Sequence, residues 1–342
     1  MAYDVLITGG TIIDGTGVPK FEADIGIEGG IIKDIGLLGG KEAKQIIPAA
    51  GKFVAPGFVD ITNHSDSNGS LFQEPLQQAG LTQGVTTIVV GNCGISLAPL
   101  ASPEAVRALG KWQDISTMNV NWQGVGEFLD ELTRHPLGVN VATLVGHNTV
   151  RRGVIGGEVR TLSPVELAKV QYLVESGIEE GAFGFSASLI NSHEQVATTE
   201  ELIAMARSVA GKNGVCKIHL RNESRNLLAS VNEAILIGRE TKAPIVISHM
   251  KAIGRMAWPF YPKAVKMLER AREDGIEISF DIFPYARTGS FLYQLLPGWA
   301  RKGGFSEMFQ RFRDSDARRK ILDYLRPETF RFEKIIIVSS EN

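Results

Sequence analysis

From Phe53 onward, short apolar runs rich in β-branched residues alternate with longer segments that carry a helical pattern. This alternation is typical of parallel β-α-β units, because each parallel strand needs a crossover connection before the next one. Helix starts lie between the runs, such as Ser163 followed by Pro164 and Glu166. Seven runs occur, at residues 53–61, 86–90, 139–145, 182–189, 215–220, 245–248 and 276–283. The sequence therefore predicts an α/β protein built on a parallel sheet.

Two features favour a barrel over an open sheet. No glycine-rich phosphate loop follows the first run, and polar residues end several different runs rather than one switch point. We therefore predict a TIM-like (β/α)8 barrel of the metallo-hydrolase type. Such a barrel needs eight strands, whereas an amphipathic, charged segment follows the seventh run. We expect residues 287–342 to be an insertion before the last strand, so that the barrel is truncated before its eighth strand.

The first fifty residues follow a different sequence pattern. Short β-type runs, such as 4–8 and 23–28, are separated by glycine pairs at 9–10 and 29–30. Glycine pairs break strands into turns, and no helical pattern fits between them. We predict a small β unit with antiparallel strands over residues 1–52, followed by the barrel domain over residues 53–342.

Charge and composition exclude several classes of partner. The formal net charge of -2 provides no broad basic field for a phosphate backbone, so nucleic acid is not expected. Gly, Pro or a charged residue interrupts every apolar segment well short of the roughly 20 residues that a spanning helix needs, so no membrane is expected. The chain has two cysteines and no signal-peptide pattern, which predicts a cytoplasmic protein.

Three potential metal ligands stand at the ends of three predicted strands. Cys93 follows the second run among glycines, and His219 and His249 each end a β-branched run. A cysteine is more often a small buried hydrophobe, but flanking glycines allow the sharp turn that a ligand position needs. A thiolate and two imidazoles at one barrel mouth form a set that zinc prefers. We therefore predict one tight Zn²⁺ site that supports hydrolysis.

Other polar residues are predicted at the same mouth. Arg221 and Lys251 each follow a histidine ligand by two residues, and although most rim cations face solvent, this pair suits a substrate carboxylate. His64 follows the first run, where a lone histidine is more often a surface residue than a ligand. His147 ends the third run and is predicted to contact substrate or support the site. Tyr285 follows the seventh run, where an edge aromatic is the alternative.

The motifs resemble those of a known group of enzymes. Pro56-Gly57-Phe58-Val59-Asp60, after an opening with Gly9-Gly10-Thr11, is similar to the start of the amidohydrolase superfamily. A narrower resemblance, to the N-acyl-D-amino-acid deacylase (D-aminoacylase) family, is carried by Gly91-Asn92-Cys93-Gly94, Gly146-His147, His219-Leu220-Arg221, Ser248-His249-Met250-Lys251 and Phe283-Pro284-Tyr285. It covers almost the whole chain.

This resemblance implies hydrolysis of an N-acyl-D-amino acid, a small-molecule substrate, to a carboxylate and a free D-amino acid. It implies a small β-sandwich portion beside the barrel, which would be residues 1–52, and zinc held by the cysteine and two histidines named above. It also places Arg221, Lys251, Tyr285 and Ser290 at the substrate carboxylate. The oligomeric state stays open.

The chain departs from the family pattern at two places that bear on chemistry. The family has His-x-His after its first strand, whereas Thr62 and His64 occupy those positions here. A hydroxyl is a poor zinc ligand, so a second metal site that uses His64 should be weak or absent. The family's general-base aspartate follows the eighth strand and is therefore expected beyond Asn342, which leaves the catalytic residue of this chain unassigned.

Several alternatives remain open at this stage. A D-dipeptidase or a hydantoinase-like cyclic amidase would use the same metal ligands, because the residues of the acyl pocket cannot be identified from the sequence. A non-catalytic scaffold is the rival from another class. Thr62 and the missing eighth strand favour the scaffold, whereas the three retained ligands argue against it.

Overall fold

The computed structural model describes residues 2–110, 119–285, 287–326 and 335–336. The chain divides into two compact units, Met1–Phe58 and Val59–Asn342. Most of the predicted insertion at 287–342 falls in the described part, whereas its residues after 326, apart from 335–336, lie outside it.

The first unit is one five-stranded sheet of mixed direction. Its strands are β1 (Tyr3–Ile12), β2 (Phe21–Glu28), β3 (Ile31–Gly36), β4 (Ala43–Pro48) and β5 (Phe53–Val54). β1, β2 and β3 pair antiparallel as predicted, but β4 and β5 run parallel to β1. A small apolar cluster of Ile12, Ala23 and Ile25 lies under the sheet.

The first apolar run of the predicted barrel is not one strand. Residues 53–54 pair with β1 in the first unit, and the next strand starts at Phe58. Pro56 separates the two because its ring nitrogen has no hydrogen to donate to a ladder. Prediction and structure therefore differ here over a strand boundary and not over the presence of strands.

The second unit contains parallel strands in chain order. These are β6 (Phe58–Asp60), β7 (Val85–Val90), β8 (Asn140–Thr143), β9 (Val145–Gly146), β10 (Gly184–Ser188), β11 (Val215–His219), β12 (Ile245–Ile247) and β13 (Ile278–Phe280). β8 and β9 are separated only by Leu144, whose N–H donates to the Val90 carbonyl. The parallel α/β arrangement that the sequence predicts is confirmed.

The strands of the second unit form two parallel sheets, one of β6, β7 and β8 and one of β9 to β13, and the first and last of these strands approach each other. Thr62, just after β6, donates its hydroxyl hydrogen bond to the Asp281 carboxylate, just after β13, over 2.5 Å. These strands stand at opposite ends of the strand order. The carboxyl ends of the strands between them therefore face a common mouth.

Helices connect the strands and supply the outer layer of the core. They are α1 (Ser70–Gln73), α2 (Gln78–Leu81), α3 (Pro103–Leu109), α4 (Val125–Arg134), α5 (His147–Ile155), α6 (Pro164–Glu179), α7 (Ser192–Gln195), α8 (Thr199–Val209), α9 (Leu227–Thr241), α10 (Tyr261–Glu273), α11 (Gly298–Arg301), α12 (Phe305–Arg313) and α13 (Ser315–Tyr324). The predicted capping box at α6 is confirmed, since Ser163 and Glu166 exchange hydrogen bonds. Among the described residues, no helix is both long and apolar enough to cross a bilayer.

Replacing Phe185 by alanine tests the core beneath the mouth. Phe185 in β10 is fully buried, whereas Phe183, just before the strand, is 59% exposed and provides a matched control. We expect Phe185→Ala to lower the free energy of unfolding by about 3–5 kcal/mol, because it removes buried apolar surface and leaves a cavity. Phe183→Ala should cost much less. Equal losses in denaturant unfolding would contradict this packing.

Candidate metal centre

Three side chains from three strand ends converge on one point. Cys93 follows β7, His219 is the last residue of β11 and His249 follows β12. The Cys93 sulfur lies 4.0 Å from His219 Nδ1 and 3.5 Å from His249 Nε2, and the three potential ligand atoms all lie within 4.8 Å of one another. A tetrahedral zinc ion, with bonds of about 2.3 Å to sulfur and about 2.0 Å to nitrogen, needs ligand atoms roughly 3.5 Å apart. The geometry therefore fits a zinc ion.

Two of these three residues have a strained backbone. Cys93 has φ 54° and His249 has φ 37°, both in the region that L-residues seldom adopt. Strain of this kind persists only where neighbouring groups fix the chain, and it is concentrated at functional sites. The N–H of His249 is fixed by a hydrogen bond to the Asp281 carboxylate.

The glycines around Cys93 are required for two reasons. Gly91 and Gly94 have φ 76° and 77°, so both adopt the left-handed conformation that the sequence predicts there. A side chain at Gly91 would also overlap the Leu144 carbonyl oxygen, and one at Gly94 would overlap the Glu194 carboxylate. The sharp turn at Cys93 therefore depends on close packing as well as on conformational freedom.

Glu223 lies beside both imidazoles and was not singled out from the sequence. Its two oxygens lie 3.4 Å from His219 Nε2 and 3.5 Å from His249 Nδ1, so the other ring nitrogens are left to face Cys93. Carboxylates beside metal-binding histidines fix the ring orientation and the tautomer in this way. Burial opposes ionisation of Glu223, but the facing imidazoles and a lysine outweigh it and lower its pKa. Its position four residues after His219 was the sequence feature that could have identified it as a neighbour of the ligands.

The protonation states of the ligands follow from burial. Burial raises the pKa of the Cys93 thiol to about 12 and lowers the pKa of His219 to about 4. At pH 7 the thiol is therefore protonated and the His219 imidazole is neutral. A metal ion would have to displace the thiol proton.

Of the two predicted substrate cations, only Lys251 lies within the cluster. Its ammonium is 2.7 Å from Glu223 and 2.8 Å from His249 Nδ1. The Arg221 guanidinium instead pairs with Glu233 at 2.8 and 3.0 Å and donates to the carbonyls of Gln195 and Ala197. The predicted substrate contact at Arg221 stays a prediction, and it would require the guanidinium to exchange some of these internal partners for a substrate carboxylate.

The sequence predicts that His147 contacts substrate or supports the site, and its contacts in the structure are internal. His147 is fully buried, and its two ring nitrogens lie 3.2 Å from Glu194 and 2.8 Å from Glu201. Neither nitrogen is left for a substrate. Because Glu194 also packs against Gly94, His147 supports the loop that carries Cys93.

Tyr285 and Ser290 both lie on exposed surface. Tyr285 is 74% exposed and stacks against Phe283, with ring centroids 6.5 Å apart. Ser290 donates its hydroxyl hydrogen bond to Gln294. Substrate contacts by these two residues stay predictions.

The predicted second metal position contains an unexpected lysine. His64 Nε2 lies 3.9 Å from the Cys93 sulfur, but the Thr62 hydroxyl is 2.5 Å from Lys217 Nζ. Lys217 lies two residues before His219, so both side chains point to the same face of β11. The sequence carried this signal, but a lysine inside an apolar run was interpreted only as part of the strand.

Comparison with known proteins gives one family match. The model of the amidohydrolase family matches residues 45–303. A D-aminoacylase from Alcaligenes xylosoxydans xylosoxydans is 35% identical over 294 residues, which are 85% of this chain and 59% of that relative. The chain thus spans about three fifths of the length of this relative.

Two solved structures add detail. One is described as showing the functional role of the binuclear metal centre in D-aminoacylase, with one-metal activation and second-metal attenuation. It is 34% identical, has a TM-score of 0.76, and covers 83% of this chain and 59% of its own. The other is N-acyl-D-glutamate deacylase from Bordetella bronchiseptica with zinc and a phosphonate inhibitor. It is 31% identical, has a TM-score of 0.77, and covers 94% of this chain and 70% of its own.

Glu223→Gln tests the orienting role of this carboxylate. The amide keeps the shape but removes the negative charge beside both imidazoles, so we expect the zinc dissociation constant to rise about 10–100-fold. Competition with a chelator measures it. Glu240→Gln, at an exposed position on α9, is the matched control and should leave the affinity unchanged. Equal affinities for the two variants would rule out the orienting role.

Zinc binding is also expected to depend on pH. The Cys93 thiol loses a proton on binding, so affinity should fall about tenfold for each unit that pH is lowered from neutrality. The dependence should steepen near pH 4, where His219 takes up its own proton. Calorimetric titration in buffers of different ionisation enthalpy counts the protons released on zinc binding, and at neutral pH one of them should come from the Cys93 thiol. Affinity that stays constant between pH 6 and 8 would refute the assignment.

Proposed function

Because the chain belongs to the amidohydrolase family, we propose that it hydrolyses the amide bond of N-acyl-D-amino acids with the help of one tightly bound zinc ion. The observation that carries this proposal is the convergence of Cys93, His219 and His249 at zinc-binding distances. The D-aminoacylase and the N-acyl-D-glutamate deacylase support the substrate class and a carboxylate plus a free D-amino acid as products.

The donor set fits zinc rather than a hard cation. One sulfur and two imidazole nitrogens are the ligands that zinc prefers, and three protein ligands leave one coordination position free. When bound, zinc supplies Lewis acidity that polarises the amide carbonyl and lowers the pKa of water towards about 7. Cys93 would bind as thiolate and the imidazoles would bind neutral.

Lys251 is the residue that we propose for the substrate carboxylate. Ligation through His249 Nε2 requires a proton on Nδ1, and that proton would face Glu223. A protonated Nδ1 cannot accept from Lys251, which now lies 2.8 Å from it. The Lys251 ammonium would keep its contact with Glu223 at 2.7 Å, and its other N–H donors would be available to a substrate carboxylate. The proposed further contacts of that carboxylate are Arg221, Tyr285 and Ser290.

The general base is left unassigned within the described residues. Asp281 is the acidic residue at the end of β13, but its carboxylate accepts from Thr62, Lys217 and the His249 N–H. A carboxylate held by three donors is a poor proton acceptor, and its pKa is lowered further by the same contacts against the effect of burial. Asp281 therefore acts as a structural bridge.

We further propose that the parallel strands belong to a (β/α)8 barrel and that the first unit is the small β-sandwich portion, with the boundary moved from residue 52 to about residue 58 because residues 53–54 pair with β1. Support comes from the parallel strand order and from the hydrogen bond that joins Thr62 and Asp281 at its two ends. Residues 287–342 would form an insertion, which α11, α12 and α13 partly fill.

Hydrolysis assays with the zinc-loaded protein test the function. We expect N-acetyl-D-amino acids to be cleaved and their L-enantiomers to be poor substrates. Cys93→Ala should lose bound zinc and lower kcat/KM by more than about a hundredfold, because the Lewis acid is gone. Cys216→Ala is the matched control, since Cys216 is buried in β11 and is not part of the cluster.

Three outcomes would contradict the proposal, each in a different way. Cleavage of a hydantoin without cleavage of acyl-D-amino acids would indicate a cyclic amidase. Preferred cleavage of D-dipeptides would indicate a dipeptidase. A folded protein that binds no zinc would indicate a non-catalytic scaffold.

A further inference from the structure

Lys217 is a buried lysine at the edge of the metal cluster. It lies in β11, two residues before His219, and is only 2% exposed. A buried ammonium is costly unless it is paired and its hydrogen-bonding groups are satisfied. Its surroundings therefore need a specific explanation.

The surroundings of Lys217 match a protonated amine. Its Nζ donates to the Ile61 carbonyl and to the Thr62 hydroxyl, and lies 3.0 Å from the Asp281 carboxylate. An ammonium group has three N–H donors and no acceptor, so these three acceptors use its full capacity.

The ammonium occupies the side of the cluster where a second metal would need its ligands. A second ion that shared Cys93 would lie towards His64, whose Nε2 is 3.9 Å from the sulfur. The next side chain available on that strand end is Thr62, and its hydroxyl is bound to both Lys217 and Asp281. A second divalent ion does not fit these residues, because it would meet a weak ligand and a fixed positive charge.

We propose that Lys217 is a built-in cation that takes the place of a second metal ion, so that this chain binds a single metal. The single charge of Lys217 balances Asp281, which in turn holds the His249 N–H and so keeps the strained ligand backbone in place. The proposal rests on the proposed metal centre but is independent of the substrate.

The test is the number of zinc ions bound per chain as free zinc is raised, measured by equilibrium dialysis and elemental analysis. The full chain should saturate at one zinc ion per chain. Thr62→His restores a ligand but keeps the ammonium, so it should also saturate at one. Thr62→His combined with Lys217→Ala should bind a second zinc at least about a hundredfold more tightly than Thr62→His alone, because the repelling charge is removed.

Two results would overturn the proposal. One is a wild-type chain that binds a second zinc as tightly as the double variant does. The other is a double variant that keeps its first zinc, and is therefore folded at the centre, but gains no second one. If the double variant does not fold, the zinc-binding isotherm of the wild-type chain decides alone. A second zinc ion whose dissociation constant lies within about tenfold of that of the first would contradict a built-in cation.

Binding of the first zinc ion distinguishes failure of this proposal from failure of the proposed function. Cys93→Ala removes the first zinc if the ligand assignment is correct, whatever happens at Lys217. Failure to bind any zinc would overturn the metal centre itself. One zinc in the wild type and two in the double variant would support both inferences without an activity measurement.

Discussion

The Asp281 carboxylate is the interaction on which the candidate centre depends. It accepts from Thr62 after the first strand of the second unit, from Lys217 in β11 and from the N–H of His249 after β12. One half-buried carboxylate thus joins residues from three strands and the loops that follow them. Because a buried charge is tolerated only when it is paired and hydrogen-bonded, these partners cannot be exchanged singly without cost. The same contacts fix the backbone of a metal ligand.

Backbone strain at the ligands follows from the direction of parallel strands. Their carboxyl ends meet at one mouth, but each side chain must then turn towards a common point. Cys93 and His249 achieve this turn with positive φ angles, which cost on the order of 1–3 kcal/mol each. The close packing of Gly91 and Gly94 stabilises one turn, and Asp281 stabilises the other. The strained positions are therefore two of the three candidate ligand positions.

The sequence predicted the parallel α/β architecture and the convergence of Cys93, His219 and His249, because strand-end positions follow directly from the alternation of apolar runs. It could not predict which charges pair with each other. Arg221 and His147 were assigned to substrate on their type and position, but Glu233 and the pair Glu194 and Glu201 engage them. Those carboxylates lie on helices, and the amino-acid sequence alone does not show which side chains these helices pack against. Lys217 and Glu223 do carry a sequence signal, since they lie two residues before and four residues after His219, but residue type and spacing do not show which partners they pair with.

The charge balance of the cluster is consistent with a single metal. Without metal and with a protonated thiol, the carboxylates of Glu223 and Asp281 balance the ammonium groups of Lys217 and Lys251, so the sum is zero. Zinc adds two positive charges and the thiolate adds one negative charge, which leaves an excess of one positive charge. An N-acyl amino acid carries one carboxylate, and this charge would neutralise the excess. A second divalent ion beside Lys217 would instead leave an excess of three, which the low polarity of a buried site disfavours. The lysine and a lone zinc thus form an electrostatically consistent pair.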